Sequence, residues 1–225
     1  MRSLLPFAAW ALAVGCAPPQ DNISGSAIDM TDYFIYSSSA IQTWEFINRD
    51  PSITYQLIAN QSEAVEETPD GQIFSVAWNL HCVSADPECV DRTLKTVKWR
   101  VEQSRGVFLP GIVPAQGLPI DFAPEVQLAL GEMDPGEFVV SNSGGFTFTA
   151  TFDGFADCPV SWTGTSDWGD DCIQITLDDG DTNPATNPEI VGTYWAIVGF
   201  DVVAWQGEED LDVWQLSKYE CVGDC

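Results

Sequence analysis

The sequence has a single histidine, and this scarcity argues against most nucleophilic catalysis. Ser–His–Asp and Cys–His mechanisms both need a histidine beside the nucleophile. His81 lies on the polar side of a predicted strand, where we expect an exposed strand residue. The G-x-S-x-G, phosphate-loop and dinucleotide-binding motifs are also missing. The sequence therefore predicts a protein that is not an enzyme, and glycan hydrolysis by two paired carboxylates is the third-ranked alternative.

Basic residues are also scarce, with eight Lys and Arg against 34 Asp and Glu, a formal net charge of −26. No lysine, arginine or histidine occurs between residues 106 and 217. Five basic residues lie just before that span: Arg92, Lys95, Lys98, Arg100 and Arg105. The negative electrostatic field of such a chain repels nucleic acid and anionic lipid, so neither is an expected partner. Three causes could select so acidic a composition: a saline habitat, divalent cation binding or solubility. The saline habitat is favoured, because salt screens the repulsion between the negative charges of the chain.

The sequence lacks an apolar run long enough to cross a bilayer. Residues 4–14 form an apolar run of eleven residues, the length of a signal-peptide core, with Arg2 as the only charge ahead of it. Gly15 and Cys16 follow this run. Residues 12–16 (LAVGC) resemble the lipobox of bacterial lipoproteins, although the leucine lies one position earlier than usual.

The resemblance implies that residues 1–15 are a removed signal peptide and that Cys16 carries lipid. It also implies an exported protein of the cell envelope, held at a membrane by its lipid. The polar, proline-rich stretch that follows predicts a lipidated tether over residues 16–30. Ala17 is not the aspartate that retains enterobacterial members of the class in the inner membrane, which favours the outer membrane. An ordinary secretory signal that leaves Cys16 as a thiol is the alternative.

The cysteine count supports the lipid anchor. Of seven cysteines, six remain when Cys16 is set aside, and an even number is what a disulfide framework in an exported chain requires. Local closure has the lowest entropic cost. The predicted pairs are Cys82 with Cys89, Cys158 with Cys172, and Cys221 with Cys225. A zinc site is not expected, because the sequence has no C-x-x-C.

Alternation of apolar and polar residues dominates residues 31–225 and indicates strands with one buried face. We expect an all-β fold, an antiparallel β-sandwich of about ten short strands with at most one short helix. That helix would begin at Asp86-Pro87-Glu88 and end near Thr93. One domain is favoured, and the proline- and glycine-rich residues 109–124 are the alternative boundary. Strands are predicted at residues 33–37, 41–48, 53–59, 72–82, 97–101, 126–130, 137–141, 146–152, 173–177, 191–203 and 212–216.

One acidic loop has the spacing of calcium ligands. Residues 179–183 (DGDTN) match the first three ligand positions of an EF-hand loop. Pro184 stands where that loop needs glycine and Ile190 where it needs glutamate, so an EF-hand is excluded. A looser calcium cage would use Asp179, Asp181 and Asn183. A polar turn between two strands is the favoured alternative.

Tryptophans suggest a second kind of site. Trp162 and Trp168 lie in the loop that the predicted Cys158–Cys172 bond would close, beside carboxylates that could bind sugar hydroxyls. Trp78 and Trp99 have inward-facing strand positions and are expected in the core. The first functional hypothesis is a non-enzymatic, lipid-anchored binding or structural module whose partner is a glycan or another envelope protein. The second is a calcium-stabilised carbohydrate-binding or adhesion module.

Overall fold

The computed structural model describes residues 27–34, 36–48, 54–85, 87–159, 172–180, 190–198, 201–207 and 212–223. Within these residues the chain forms strands and one 3₁₀ helix, Met30–Tyr33, and no helix is long and apolar enough to span a membrane. The strands are β1 (Ile28–Asp29), β2 (Ala40–Asn48), β3 (Tyr55–Thr68), β4 (Gly71–Cys82), β5 (Arg92–Glu102), β6 (Gly106–Pro114), β7 (Ile120–Leu130), β8 (Glu132–Met133), β9 (Phe138–Ser143), β10 (Phe146–Ala156), β11 (Cys172–Asp178), β12 (Gly192–Ile197), β13 (Asp201–Gly207) and β14 (Trp214–Gly223).

Twelve of these strands form one antiparallel sheet in which most neighbours are consecutive in the chain. Strands β2 to β7 make one half as successive hairpins, and β9 to β14 make the other. The halves join where β2 pairs with β14, from Asn48 opposite Trp214 to Ala40 opposite Gly223. The short strands β1 and β8 pair separately. The prediction of an all-β, antiparallel fold is confirmed.

The sheet folds over, so that its two halves enclose one core. Trp78 of β4 meets Trp205 of β13 edge to face, with ring centroids 5.2 Å apart. Trp99 of β5 meets Tyr194 of β12 at 6.3 Å. Each such aromatic pair stabilises the folded state by about 0.5–1.5 kcal/mol in addition to the effect of burying the two rings. Trp78 and Trp99 are 4% and 1% exposed, which confirms that both belong to the core.

The segment before β2 lies inside the fold and is not the strand predicted at residues 33–37. Apolar residues at positions 30, 33 and 34 have helical spacing, and the 3₁₀ helix turns all three inward. The rings of Phe34 and Tyr36 lie 6.0 and 5.9 Å from the ring of Trp99. Met30 N donates to Gly131 O at 2.8 Å, just after β7. We call residues 30–34 and Tyr36 the N-terminal plug.

Residues 109–124, the alternative domain boundary, contain most of the β6–β7 hairpin. Pro110 has no partner in either neighbouring strand, because both registers shift around it. Proline can therefore lie in a central strand without breaking a ladder bond. A side chain at Gly111 would place its Cβ 2.5 Å from Ile120 O, so the close approach of β7 requires glycine. The core cluster contains residues from both sides of this segment, for example Leu57 and Ile175.

The helix predicted from Asp86 to Thr93 is wrong. Asp86 lies outside the described residues, residues 87–88 form a turn, and β5 already begins at Arg92. The bond between Cys82 and Cys89 and the acceptor Asp91, 2.8 Å from Cys82 N, hold the two strand ends together. The disulfide and this hydrogen bond therefore close a turn where the helix was predicted. Residues 191–203 also differ from expectation, since they belong to the two strands β12 and β13.

Candidate functional site

Several residues of the sequence-predicted sites lie outside the described part of the chain. They are Cys16, Trp162, Trp168, Asp181 and Asn183. Asp179 is described and is 5% exposed directly after β11. Gly180 N donates to Asp178 Oδ1 at 2.7 Å, which is the arrangement of a polar turn. Within the described ranges no three His, Cys, Asp or Glu side chains are grouped as a metal site needs, and calcium binding stays a prediction.

The structure bonds Cys82 to Cys89 and Cys158 to Cys172, as predicted. Their Cα–Cα distances of 5.8 and 5.0 Å lie in the usual range for disulfides. Cys221 is also disulfide-bonded, and its predicted partner lies outside the described residues. The third pair, with Cys225, therefore stays a prediction.

His81 is an exposed residue of β4, as the sequence indicates. Its Nδ1 lies 2.9 Å from Asp91 Oδ2, and its side chain is 49% exposed. Hydrogen bonds from Cys82 N and from His81 hold the pKa of Asp91 below its usual value. The pair belongs to the connection between β4 and β5, where it helps to close the loop.

The two outer strands of the sheet, β7 and β9, come together without pairing. Their Cα atoms approach within 8 Å, yet no hydrogen-bonded ladder pairs these two completely described strands. A mixed bond links them, with Gln127 N donating to Ser141 Oγ at 2.9 Å. Pro124 of β7 suits such an edge, because proline cannot donate to a ladder. We call this line of contact the β7–β9 seam.

A cleft of about 690 Å³ lies over this seam. Small-molecule pockets are usually about 300–1,000 Å³, so the size suits a ligand. One wall comes from β7 and the other from residues 140–142 of β9. The rest of the lining is Asp70, Arg100, Arg105 and Phe108. We call it the seam cleft.

Arg100 provides a buried positive charge in the seam cleft, with 4% of the residue exposed. Its Nε donates to Glu125 Oε2 and its Nη1 to Asp70 O, both at 3.0 Å. Its Nη groups also pair with Glu102 and Glu125. Burial acts to lower the pKa of Arg100, and the hydrogen bonds to both glutamates raise it. The guanidinium, 4.3 Å from the ring centre of Phe108, is held charged and fixed.

Glu102 is held ionised by two arginines. Burial acts to raise its pKa, but hydrogen bonds from Arg100 and Arg105 lower it below the usual value. The Arg105 bond, from Nη1 to Glu102 Oε1, is 2.9 Å long. A general acid for hydrolysis needs a pKa raised towards the working pH. Glu102 has the opposite shift and lies outside the lining of the seam cleft, where it holds the side chains of Arg100 and Arg105 in place.

Other polar groups in the lining can still serve a ligand. Oε2 of Glu125 accepts from Arg100, and its Oε1 is a second acceptor. Asn142 accepts from Thr147 through Oδ1 at 2.8 Å, and its amide NH₂ is a donor group. The side chain of Arg105 is 57% exposed. The cleft thus presents donors and acceptors side by side.

Comparison with known proteins adds no further assignment: no family model, no curated protein and no solved structure matches the chain. Sequence reasoning missed the seam cleft, because its two walls belong to strands that meet only when the sheet folds over. The signal that pointed towards it was the cluster of basic residues between positions 92 and 105. Two of these residues, Arg100 and Arg105, line the cleft.

Proposed function

We propose that this chain is a lipid-anchored, non-enzymatic binding module of the cell envelope, and that the seam cleft is its ligand site. The observation that carries the proposal is an open cleft in whose lining the buried Arg100 fixes the carboxylate of Glu125. Rigid, pre-oriented polar groups in a concavity are the usual basis of small-ligand recognition.

A purely structural role accounts less well for this arrangement. Each inner strand of the large sheet is paired on both sides, whereas β7 and β9 leave their facing edges unpaired. Unpaired edges are a liability that folds normally remove, and a buried ion pair is weak evidence for stability. Unpaired strand edges and buried ion pairs depart from the arrangement that would stabilise the fold most. Such departures are expected mainly at functional sites, where other parts of the fold offset their cost in free energy.

The anchor is supported by the lipobox-like residues 12–16 and by cysteine parity. Disulfides indicate an oxidising compartment outside the cytosol, which agrees with export. Ala17 favours the outer membrane. Metabolic labelling of cells with a radioactive fatty acid tests this part: wild-type protein should carry label in the membrane fraction, and Cys16→Ser should not. Equal labelling of both proteins would contradict lipid attachment at Cys16.

Amide hydrogen exchange of the full-length chain in micelles tests the binding role. Three classes of probe are offered separately: neutral oligosaccharides, uronic-acid oligosaccharides and short peptides. We expect one class to slow exchange of β7 and β9 amides next to the seam cleft. The same probe should leave the loop closed by Cys82 and Cys89 unchanged. If no probe of any class protects β7 or β9, the seam cleft is not a site for these ligands and the proposal fails.

A further inference from the structure

We infer that the seam cleft binds a neutral, hydroxyl-rich ligand, and specifically a segment of glycan. The inference rests on the proposed binding function and names the chemical class of its ligand. It uses residues of β5, β7 and β9, none of which belongs to the tryptophan loop or the acidic loop that the sequence suggested.

The charges of the seam cleft exclude an anion as the preferred ligand. The positive charges of Arg100 and Arg105 are matched by Glu102 and Glu125. The guanidinium donors of Arg100 are directed at these glutamates and at the Asp70 carbonyl, so its planar fork is not available for a phosphate or carboxylate. The chain as a whole carries −26, and this field repels anions further.

The remaining polar groups match hydroxyl groups. A hydroxyl group both donates and accepts, so neighbouring hydroxyls can bridge a carboxylate oxygen and an amide or guanidinium N–H. Glu125 offers the acceptor, while Asn142 and Arg105 offer donors. Arg105 is held in place by its bond to Glu102 and lies 5.6 Å from the ring centre of Phe108. Donors fixed in this way lose little entropy when a ligand binds.

An exposed aromatic ring, Phe138, lies on β9 two residues before Val140 of the cleft lining. Residues two apart on a strand share a face, so Phe138 lies on the same face as Val140 and Asn142. Phe138 is 62% exposed and Val140 is 47% exposed. Exposed apolar groups beside a polar cleft leave a surface that a partner would bury. The flat ring of Phe138 can stack on the C–H face of a sugar, while the cleft binds the hydroxyl groups.

The chain offers matched control residues. Phe155 on β10 is another exposed phenylalanine, at 47%. Arg92, the first residue of β5, lies over the ring of Tyr55 at 5.4 Å, much as Arg105, in the turn after β5, lies over Phe108. Phe138→Ala is therefore paired with Phe155→Ala, and Arg105→Ala with Arg92→Ala. Each pair makes the same chemical change inside and outside the proposed site.

The test is calorimetric titration of the full-length chain in a detergent without a sugar headgroup. The probes are maltotetraose, cellotetraose and chitotetraose as neutral ligands, and tetragalacturonate and inorganic phosphate as charged ones. We expect at least one neutral tetrasaccharide to bind and both charged probes to fail. Phe138→Ala and Arg105→Ala should each weaken binding by about tenfold or more, and the two control variants by less than about twofold.

Three results would overturn the inference. If a charged probe binds and the cleft variants abolish that binding, the ligand is not neutral, although the proposed binding function survives. If a neutral tetrasaccharide binds equally well to all four variants, the site lies elsewhere. If none of the neutral probes binds, the ligand class is wrong. The exchange experiment with peptides and uronic-acid oligosaccharides then decides separately whether the seam cleft binds anything.

Discussion

The two halves of the sheet meet along two lines, and the two lines are built differently. At the first, β2 and β14 pair along their whole length, with nine registered residue pairs from Asn48–Trp214 to Ala40–Gly223. At the second, the β7–β9 seam, side chains replace the backbone ladder, as in the bond from Gln127 N to Ser141 Oγ. One junction therefore holds the fold together, and the other leaves room for a cleft.

Two carboxyl groups show how the surroundings differ between the interior and the seam cleft. Asp201, at the start of β13, is buried, and desolvation raises its pKa to about 7, although hydrogen bonds from Tyr36 and from Val202 N oppose this. Glu102, which pairs with two arginines of the cleft lining, has a lowered pKa because Arg100 and Arg105 donate to it. The interior thus favours a neutral acid, and the two arginines of the cleft lining favour an ionised one beside them.

The largest expected effect follows from a cavity at the paired junction. Trp44 of β2 is 2% exposed and its ring lies 5.9 Å from that of Tyr219 on β14. Trp44→Ala should lower the free energy of unfolding by about 3–5 kcal/mol, as measured by urea denaturation. Val140→Ala at the seam should lower it by less than about 1 kcal/mol, because Val140 is half-exposed. Similar losses for both variants would contradict the difference between the junctions.

The second effect concerns pH. Because folded Asp201 keeps its proton up to about pH 7 and the unfolded chain releases it near pH 4, its contribution to stability declines as pH rises across that window and is constant above it. The hydroxyl of Tyr36 faces it and is its side-chain hydrogen-bond partner. Asp201→Asn should therefore stabilise the protein at pH 8, by about 2–4 kcal/mol, and not at pH 4.

Asparagine is the matched replacement, because Asp201 has φ of 69° and asparagine tolerates the left-handed region. Urea denaturation of both proteins at pH 4, 6 and 8 checks the prediction. A constant difference between the two proteins at all three pH values would show that the carboxyl group does not titrate in this window.

The third-largest change in stability is expected for a substitution at the β7–β9 seam. Arg100→Gln leaves Glu125 without its guanidinium and Glu102 with that of Arg105 alone, and it should lower the free energy of unfolding by about 1–3 kcal/mol. This loss is smaller than the loss expected for a fully buried ion pair. Both glutamate side chains are about a quarter exposed, so solvent screens their charges. Because Glu102 contributes its stability above its unfolded pKa, the loss should shrink as pH falls below about 4. An equal loss at pH 7 and pH 3 would contradict an electrostatic origin.

The smallest effect is expected for a surface ion pair at the paired junction. Lys218 of β14 contacts Glu45 at 3.0 Å and Glu220 at 2.7 Å, and its side chain is half-exposed. Exposed pairs contribute little and are screened by salt. Lys218→Ala should leave the urea midpoint almost unchanged, and wholly unchanged in 1 M NaCl. A clear loss that persists in high salt would show that this junction depends on charge as well as on backbone pairing.

The strands could be placed from the sequence where alternation is regular. In β4, β10 and β11 one face is buried and the other is polar, so the period of two is visible. Strand β6 could not be predicted, because residues 106–112 are buried on both faces and Pro110 and Gly111 interrupt the pattern. The N-terminal plug was missed because three apolar residues at helical spacing are too few to outweigh strand propensity.

The seam cleft could not be derived from the sequence for a different reason. Its walls belong to β5, β7 and β9, and their proximity depends on how far the whole sheet folds over. Local pattern carries no information about that curvature. The cluster of basic residues was visible, but its pairing with Glu125, 25 residues beyond Arg100, was not.

Native-state amide hydrogen exchange of the full-length chain, without ligand, tests the central claim most directly. The claim is that backbone pairing closes one junction while side chains and a cleft form the other. We expect β2 and β14 amides to exchange only through global unfolding, and amides on the facing edges of β7 and β9 to exchange much faster. Equal protection at both junctions would mean that β7 and β9 are paired, and would contradict a ligand cleft at the seam.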